Sequence, residues 1–428
     1  MRYHPITNSL FIRNRKKLTD KLPKNSILIL RSAEKMPRNG DQFYPFRQQS
    51  DFFYLTGIEQ EDTCLILFPD CPNPAMQELL FIQKFDPVTA VWEGHKLTNE
   101  QATAISGITQ VQTNDTLQAV LQETLNYAET VYLNNNEYIK FFTDVPDNQL
   151  RLAHQLKQKY PLHKYERAAP LLTELRQCKA KEEIELIKTA CQITHKAIRR
   201  MAKFVKPGIY EFDVQAEMEH EFTINRANGH GYYPIIAGGV DSCILHYNEN
   251  DKQLHNGDLL LLDFGAEYAN YTADLSRTLP VNGKFTPRQR QCYDAVLRVF
   301  KKARKLYVPG NTIDQINQEC WKMMEQEMIG LGLFTQDNVN NQDAAAPLYK
   351  KYLMHGIAHP LGLDVHDVGS KFEPLRPGMV LTCEPGIYIT EEKIGIRLEN
   401  DILVTEDGPY DLMEDIPIEA DDIEAMMR

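Results

Sequence analysis

The chain has 428 residues, more than one ordinary domain, so two or three domains are expected. Hydrophobic residues make up 43% and charged residues 25%, a globular composition that excludes a largely disordered chain. The formal net charge of −12 argues against non-specific binding to nucleic acid or to an anionic membrane.

The first 170 residues predict a mixed α/β domain. Short runs rich in branched and aromatic residues predict strands at residues 26–30, 63–68, 78–83 and 130–133. A helix is predicted from Asp147 to Lys159, and residues 164–170 are predicted to be a linker. We therefore expect an N-terminal domain of residues 1–170 and a second domain of residues 171–428.

The second domain opens with a long amphipathic helix, predicted over residues 181–204. A Pro-Gly pair ends it, and another helix is predicted over residues 214–225. The same order of helix, Pro-Gly break and helix returns about a hundred residues later, over residues 288–307 and 312–329. The repetition predicts an internal duplication, although Pro-Gly pairs also end helices for purely local reasons.

A hairpin predicted over residues 258–267 and 271–280 carries carboxylates where apolar side chains are expected. Asp263 follows four leucines, and an unpaired ionised carboxylate in such a strand would cost several kcal/mol. Asp274 lies on the returning strand, and a turn with an even number of residues would put both carboxylates on one face. Such a pair favours a cation or a shared proton; the alternative is one solvent-facing and one turn aspartate.

Three histidines, His355, His359 and His366, lie within twelve positions. The spacing of the first two is similar to a helical zinc motif, but the glutamate of that motif is missing, and nearby glycines and a proline favour a loop or extended chain. A single histidine here would be interpreted as a satisfied core residue, whereas three among glycines indicate a functional site.

A second hairpin is predicted over residues 379–389 and 395–404. Glu384 follows an apolar run in the first of these segments, and Glu399 follows a shorter one in the second. Each glutamate alone is a weak signal, because Glu-Pro-Gly after residue 383 is also a good turn sequence.

Taken together, Asp263, Asp274, Glu384 and Glu399 would carry four negative charges beside a neutral His359. Two divalent cations would offset that charge. Oxygen-rich ligation with one imidazole favours Mn²⁺, with Fe²⁺, Co²⁺ or Zn²⁺ as alternatives. Two metal ions about 3.5–4 Å apart can bridge and deprotonate a water and polarise a scissile carbonyl.

The blocks that contain these residues resemble a known family; they read DFGAEYANYTADLSRT, HGIAHPLGLDVHDVG, LTCEPGIYI and GIRLENDILVT. In this order they resemble the pita-bread metallopeptidases, which include methionine aminopeptidase, prolidase and Xaa-Pro aminopeptidase. The resemblance begins near Lys179 and implies an α+β protein, in which the N-terminal mixed α/β domain precedes a pita-bread catalytic domain with pseudo-twofold duplicated halves.

The resemblance also implies which residues form the site and which branch of the family is most similar. The segments SDFFYLTGIEQEDTCLIL and AVWEGHKL are similar to the N-terminal domain of bacterial aminopeptidase P. A homo-oligomer, dimer or tetramer, is implied, with two Mn²⁺ per subunit. The implied metal ligands are Asp263, Asp274, His359, Glu384 and Glu399. Pro360 departs from the aromatic residue found at that place in relatives, which bears on substrate fit and removes no ligand.

The implied reaction is hydrolysis of the bond between a free N-terminal residue and a following proline. Glu384 is expected to be the general base for the attacking water. His246, in a segment similar to the aminopeptidase P active site, and His366 are expected to donate to the substrate carbonyl or oxyanion. His355 is expected to line the proline pocket or to assist protonation of the leaving nitrogen.

Arg397 and Tyr388 are further candidates for substrate contact. The alternative for Arg397 is a structural ion pair with a neighbouring acid, and the alternative for Tyr388 is plain packing. Two other functions stay open: a prolidase restricted to Xaa-Pro dipeptides, and a pita-bread module that binds partners after losing catalysis.

The chain is expected to be cytoplasmic. No apolar run approaches the roughly 20 residues that span a bilayer, and the N-terminal segment has no apolar core typical of a secretion signal. The eight cysteines are scattered without a CxxC pair, which indicates reduced thiols. Trp92, Phe52, Phe53 and Tyr54 are candidates for a subunit interface or, alternatively, for the core of the N-terminal domain.

Overall fold

A computed structural model describes residues 3–141 and 144–428. The chain forms two compact units, Tyr3–Arg176 and Gln177–Arg428. The predicted boundary after residue 170 falls inside the helix that ends the first unit, and it stays a prediction. Within the described ranges, no helix is both long enough and apolar enough to cross a membrane.

The first unit combines seven helices with eight strands in its described part. The helices are α1 Asn8–Thr19, α2 Ser50–Thr56, α3 Pro87–Glu93, α4 Asn99–Ser106, α5 Leu117–Leu125, α6 Asn148–Lys159 and α7 Ala169–Gln177. The strands are β1 Ser26–Arg31, β2 Pro37–Asn39, β3 Gln42–Phe43, β4 Cys64–Leu67, β5 Glu78–Ile82, β6 Val111–Thr113, β7 Thr130–Leu133 and β8 Lys164–Arg167.

Six of these strands form one mixed sheet in the order β6-β5-β4-β1-β7-β8. Strand β1 pairs antiparallel with β4 and parallel with β7, and β1 and β4 are buried along nearly their whole lengths. The four strands predicted for this region are therefore present. Their side chains alternate between the two faces of the sheet, and both faces are covered by helices and loops.

One expectation for the first unit is wrong, and the alternatives left open for four aromatic residues are decided for three of them. The predicted linker at residues 164–170 instead forms the edge strand β8, which pairs with β7, and the start of α7. Its sequence is polar because three of the four strand residues are exposed at this edge. Phe52 is fully buried together with Phe53 and Tyr54, so it belongs to the core, whereas Trp92 is 85% exposed.

In the second unit, one arrangement of helices and strands occurs twice. Its helices are α8 Lys181–Phe204, α9 Glu211–Ile224, α10 Pro287–Ala303, α11 Ile313–Gly330, α12 Gln336–Asn340 and α13 Ala420–Met426. Its strands are β9 Gly229–His230, β10 Ile235–Gly238, β11 Leu259–Phe264, β12 Ala266–Tyr268, β13 Tyr271–Thr272, β14 Leu275–Pro280, β15 Val380–Cys383, β16 Gly386–Ile389, β17 Ile394–Arg397, β18 Asn400–Thr405 and β19 Gly408–Asp411.

In the first half of this unit, helices α8 and α9 precede the sheet β10-β11-β14; in the second half, α10 and α11 precede the sheet β15-β18-β19. The two helix pairs agree with the predicted repetition. Helix α8 has the predicted bounds, and its buried positions follow helical spacing along one face.

The hairpin of the first half closes on a tight turn. Tyr268 pairs with Tyr271, and the two residues between them, Ala269 and Asn270, have φ values of 52° and 65°. A two-residue turn with both φ values positive matches the twist of antiparallel strands. The number of residues in the loop is therefore even, as the predicted convergence of the aspartates requires.

Candidate active site

The first hairpin places two carboxylates side by side. Asp263 on β11 is opposite Ser276 on β14, and Asp274 lies two residues before Ser276, on the same face. The hydroxyl of Tyr232 contacts both carboxylates, at 2.6 Å from Oδ1 of Asp263. The two aspartates that the sequence singled out therefore converge on one point.

Glu384 and Glu399 lie where the second hairpin is interrupted. The pairing of β15 with β18 ends at Cys383, just before Glu384, and the pairing of β16 with β17 ends at Arg397, two residues before Glu399. Both glutamates therefore lie just outside the regular pairing of these strands. The hydroxyl of Ser276 donates to Oε2 of Glu399 over 2.7 Å, which ties this hairpin to the first.

The segment that carries the three histidines is irregular rather than helical, as predicted, and it runs along β15. The backbone N–H of His359 donates to Oγ1 of Thr382, and the N–H of Thr382 donates to the carbonyl of His359. Nδ1 of His359 donates to the carbonyl of Pro360, since a carbonyl oxygen only accepts. The other nitrogen, Nε2, faces Asp274 Oδ2 at 3.5 Å and Glu384 Oε1 at 3.7 Å.

All five predicted metal ligands lie close together, three of them buried and two, His359 and Glu384, half-buried. Asp274, His359 and Glu399 present ligand atoms within 4.8 Å of one another. Glu384 contacts the same imidazole, and Asp263 shares a tyrosine hydroxyl with Asp274. The structure brings these residues together, and their role as ligands stays a prediction.

Burial and mutual repulsion disturb the charges of this cluster. Burial, reinforced by the neighbouring aspartates, raises the pKa of Glu384 to about 7 and raises the pKa values of Glu399 and Asp274. Burial lowers the pKa of His359, but Asp274 and Glu384 outweigh it and bring the value to about 9. Acids crowded in this way favour a bound cation, and carboxylate oxygens with one imidazole nitrogen suit a divalent metal ion.

Arg397 joins the two hairpins beneath the acids. Its Nε donates to Oγ of Ser276 over 2.9 Å, one terminal nitrogen donates to the hydroxyl of Tyr388 over 2.8 Å, and the other pairs with Asp263. The guanidinium is buried, and each of its three nitrogens has a partner. The ion pair with an acid, which the sequence left as an alternative for Arg397, is therefore present.

Tyr388 hydrogen-bonds to both Arg397 and His355, so it does more than pack. Its oxygen accepts from Arg397, so its single proton goes to Nε2 of His355 at 2.9 Å. Nδ1 of His355 donates to the carbonyl of Gly356 over 2.6 Å. Both nitrogens of His355 are thus engaged, and burial together with the charge of Arg397 lowers its pKa to about 4 and keeps the ring neutral.

The remaining two histidines are exposed at the side of the cluster. The ring of His366 lies edge-on to the ring of His359, with 4.5 Å between centroids. A positive charge placed on His246 would help to lower the pKa of His355, so these two imidazoles lie within electrostatic reach of each other. Both exposed rings are accessible to a ligand that enters from solvent.

Comparison with known proteins identifies the family of this chain. Residues 185–406 match Metallopeptidase family M24, and residues 11–132 match the aminopeptidase P N-terminal domain. The chain belongs to metallopeptidase family M24. A Xaa-Pro aminopeptidase of Haemophilus influenzae is 35% identical to it, over 98% of this chain and 97% of that protein.

Two solved structures of this family extend the comparison. Aminopeptidase P from Escherichia coli with the inhibitor Pro-Leu has a TM-score of 0.89 to this chain at 33% identity, with 99% of each chain covered. A zinc-substituted form of the same enzyme in complex with product gives a TM-score of 0.89 at 32% identity and the same coverage. These likenesses confirm the predicted fold, an N-terminal α/β domain followed by the pita-bread domain of the M24 family.

Two residues at the site, Tyr232 and Ser276, were not predicted from the sequence. Both contact predicted ligands through hydroxyl groups, but neither carries a charge or a spacing that marks it in the sequence. Tyr232 is 31 residues from Asp263, and only the pairing of β9 and β10 with the first hairpin brings it to the carboxylates. Burial and the two aspartates raise its pKa well above the usual value, so it stays a proton donor.

Proposed function

We propose that this protein is a Xaa-Pro aminopeptidase, a metal-dependent hydrolase that releases the N-terminal residue from peptides with proline in the second position. The observation that carries this proposal is the buried cluster of four carboxylates around His359, in a chain of the M24 family with an aminopeptidase P N-terminal domain. An ionised substrate amine would be drawn to this acidic pocket.

The metal site is proposed to hold two Mn²⁺ ions, with Fe²⁺, Co²⁺ or Zn²⁺ as alternatives. The residues that would hold them are Asp263, Asp274, His359, Glu384 and Glu399. In support, four carboxylates balance two divalent charges, and Nδ1 of His359 donates to Pro360, which leaves Nε2 as the nitrogen on which a metal ion would replace the proton. When bound, such a pair lowers the pKa of a water molecule and polarises the scissile carbonyl.

Glu384 is the proposed general base. Its carboxylate takes a proton from the attacking water and delivers it to the proline nitrogen as the peptide bond breaks. The proline nitrogen carries no hydrogen of its own, so it needs this proton to leave. In support, Glu384 lies inside the cluster, with its Oε1 3.7 Å from Nε2 of His359, close to where the attacking water would be held.

His246 and His366 are the proposed donors to the substrate carbonyl and to the oxyanion that develops from it. Both are exposed beside the cluster, where an entering peptide would meet them. His355 is assigned to the wall of the proline pocket instead of to proton transfer, because Tyr388 and Gly356 already occupy its two ring nitrogens. Arg397 and Tyr388 hold that ring and Asp263 in place.

Activity on a peptide series tests the proposal. Gly-Pro, Gly-Pro-Pro and a pentapeptide that begins Gly-Pro are compared with Gly-Ala-Pro, after chelation and again after each metal is restored. Metal-dependent release of glycine from the longer Gly-Pro peptides is expected. Activity confined to the dipeptide would instead identify a prolidase, and protein that binds no divalent ion and cleaves none of these peptides would be a binding module.

We also propose that the protein acts in the cytoplasm as a homo-oligomer, a dimer or tetramer. All eight cysteines, which lie within the described residues, are free thiols, and six of them are buried. Exposed Val88, Val91 and Trp92 lie together on helix α3 of the first unit and are candidates for a subunit contact. Measured mass and cell fractionation test these two statements separately.

A further inference from the structure

Another buried carboxylate, outside the candidate metal site, has an unusual set of partners. Glu211 is the first residue of helix α9 and is fully buried. Its Oε1 accepts from the backbone N–H of Gly238 at 2.8 Å. Its Oε2 accepts from the Tyr247 hydroxyl at 2.7 Å and from the backbone N–H of Lys252 at 2.9 Å.

The three donors all belong to one segment of chain, residues 238–252. Gly238 is its first residue, at the end of β10, and Lys252 is its last. Tyr247 lies between them and is buried, whereas the preceding residue, His246, is exposed. One carboxylate therefore fixes the beginning, the middle and the end of the segment that carries His246.

Other contacts of the segment leave few ways for it to shift as a whole. Asn250 is buried, its Oδ1 accepts from the N–H of Ile236, and its Nδ2 donates to the carbonyl of Pro234. A methyl group on Gly395 of β17 would lie 2.1 Å from the carbonyl oxygen of Ser242, so the segment is pressed against the hairpin that carries Arg397. Between these anchors, the hydrogen bond from the Tyr247 hydroxyl to Glu211 is the one made by the residue next to His246.

We propose that Glu211 and Tyr247 are positioning residues that hold the segment 238–252, and through it fix His246 where it meets the substrate carbonyl. The inference rests on the proposed function in one respect, the assignment of a substrate contact to His246. Without the bond from Tyr247 to Glu211, His246 would sample several positions. Restricting it to one of them in the transition state would raise the activation free energy.

Glutamine is a poor substitute for Glu211, for a geometric reason. Whichever way its amide is turned, the NH₂ group faces a backbone N–H, that of Gly238 or that of Lys252. Tyr247→Phe is the milder change, because it removes only the hydroxyl and leaves the backbone N–H groups of Gly238 and Lys252 bonded to Glu211. The pair of variants therefore separates loss of the whole anchor from loss of the contact next to His246.

A double-mutant cycle tests the proposal. Wild type, Y247F, H246A and the double variant Y247F/H246A are compared on a Gly-Pro tripeptide with saturating metal. We expect Y247F to lower kcat about tenfold with little change in KM, and to have no further effect once His246 is absent. A matched control is Y410F, which alters an exposed tyrosine on β19 and should match wild type.

Hydrogen exchange supplies a readout that does not depend on activity. Amides of residues 239–252 should exchange at least about tenfold faster in Y247F and in E211Q than in wild type or in E219Q, a change at an exposed glutamate of the same helix. Unchanged exchange in both variants would overturn the proposal.

The remaining outcomes separate this inference from the proposed function. If Y247F reduces kcat equally in the wild-type and H246A backgrounds, or if H246A cleaves like wild type, the inference fails while aminopeptidase activity stands. If the wild type cleaves no Xaa-Pro peptide, the proposed function fails, and the exchange measurement alone decides whether Glu211 and Tyr247 hold the segment.

Discussion

At the scale of single residues, hydroxyl and guanidinium groups decide how the acids of the site are arranged. Arg397 is buried and contacts Ser276, Tyr388 and Asp263 at once, so it links three of the side chains on which the pocket depends. A charge that is buried costs free energy, and this one is compensated only while all its partners keep their geometry.

Arg397→Lys is predicted to lower kcat/KM by about 10- to 100-fold. Lysine keeps the charge, but one ammonium group cannot reach Ser276, Tyr388 and Asp263 together. Steady-state kinetics on a Gly-Pro tripeptide measures the effect, with Arg298→Lys, at an exposed pair with Glu327, as the control. Wild-type kcat/KM in Arg397→Lys would contradict the assigned role.

At the scale of elements, close backbone contact fixes the geometry of the hairpins. Gly265 lies between β11 and β12, where the strand passes the carbonyl of Ala273. A methyl group there would lie 1.6 Å from that carbonyl oxygen, far inside contact distance. The residue that permits this approach is also the link between Asp263 and the turn of the hairpin.

Gly265→Ala is therefore predicted to destabilise the protein by about 3 kcal/mol or more, because the backbone itself must move. Chemical denaturation followed by circular dichroism measures the loss. Gly330→Ala serves as the control, since that glycine ends helix α11 and a methyl group there meets no atom within 4 Å. A Gly265→Ala protein as stable as the control would show that the hairpin is looser than described.

A second element, the segment that carries His359 and His366, is held by a buried ion pair. Nζ of Lys179 lies 2.9 Å from Oδ2 of Asp367, and the two side chains are 2% and 1% exposed. Asp367 directly follows His366, so the pair fixes the end of this segment to the residues before helix α8. Asp367 and Lys179 are 188 residues apart in the chain, so only the folded structure pairs them.

Lys179→Met is predicted to destabilise the protein by roughly 3–5 kcal/mol, since it removes the cation and leaves the carboxylate buried. Lys188→Met on helix α8 is the matched control, because its pair with Glu185 is at the surface and contributes little. Equal denaturation midpoints for the two variants would argue that Asp367 is stabilised mainly by other contacts.

At the scale of the whole molecule, binding of metal should be coupled to stability. The acids converge only in the folded second unit, where the two halves meet, so a cation held by them would bind the folded chain far better than the unfolded chain. Ligand that binds only the folded state stabilises it by about 2.7 kcal/mol at a hundred times its Kd.

We expect chelated protein to melt at a lower temperature, and Mn²⁺ to raise Tm in proportion to the logarithm of its concentration. Differential scanning calorimetry measures the shift. Asp274→Asn should lose most of it, whereas Asp407→Asn, in the turn between β18 and β19, should retain it. A Tm that does not respond to any divalent metal would exclude the proposed centre.

Assembly is the second prediction at this scale. Trp92 is 85% exposed, and burying a side chain of that size against a partner would contribute substantially to association. Light scattering is expected to give a multiple of 49.3 kDa for wild type and a smaller mass for Trp92→Ser at the same concentration. A monomeric wild type would contradict the proposed oligomer.

Much of the molecule could be predicted from the sequence, because the signals were local. The bounds of helix α8 follow from apolar spacing, whereas the convergence of Asp263 with Asp274 was predicted only for an even turn, which the structure supplies. Ionisable residues in apolar strands also stand out by themselves, since an isolated buried charge is too costly to be incidental. The four acids and His359 could be singled out in this way together with the resemblance of their sequence blocks to a known family, and their role as metal ligands stays a prediction.

Only the tertiary structure decided where the edge strand of the first sheet lies and which polar groups support the residues of the site. Strand β8 was missed because its residues are polar, and pairing with β7 outweighs that pattern. Tyr232, Ser276 and Glu211 carry no local signal, because a hydroxyl or a lone carboxylate acquires its role from partners distant in sequence. Hydrogen bonds between such residues depend on how strands and helices meet, and no periodicity of a single segment contains that information.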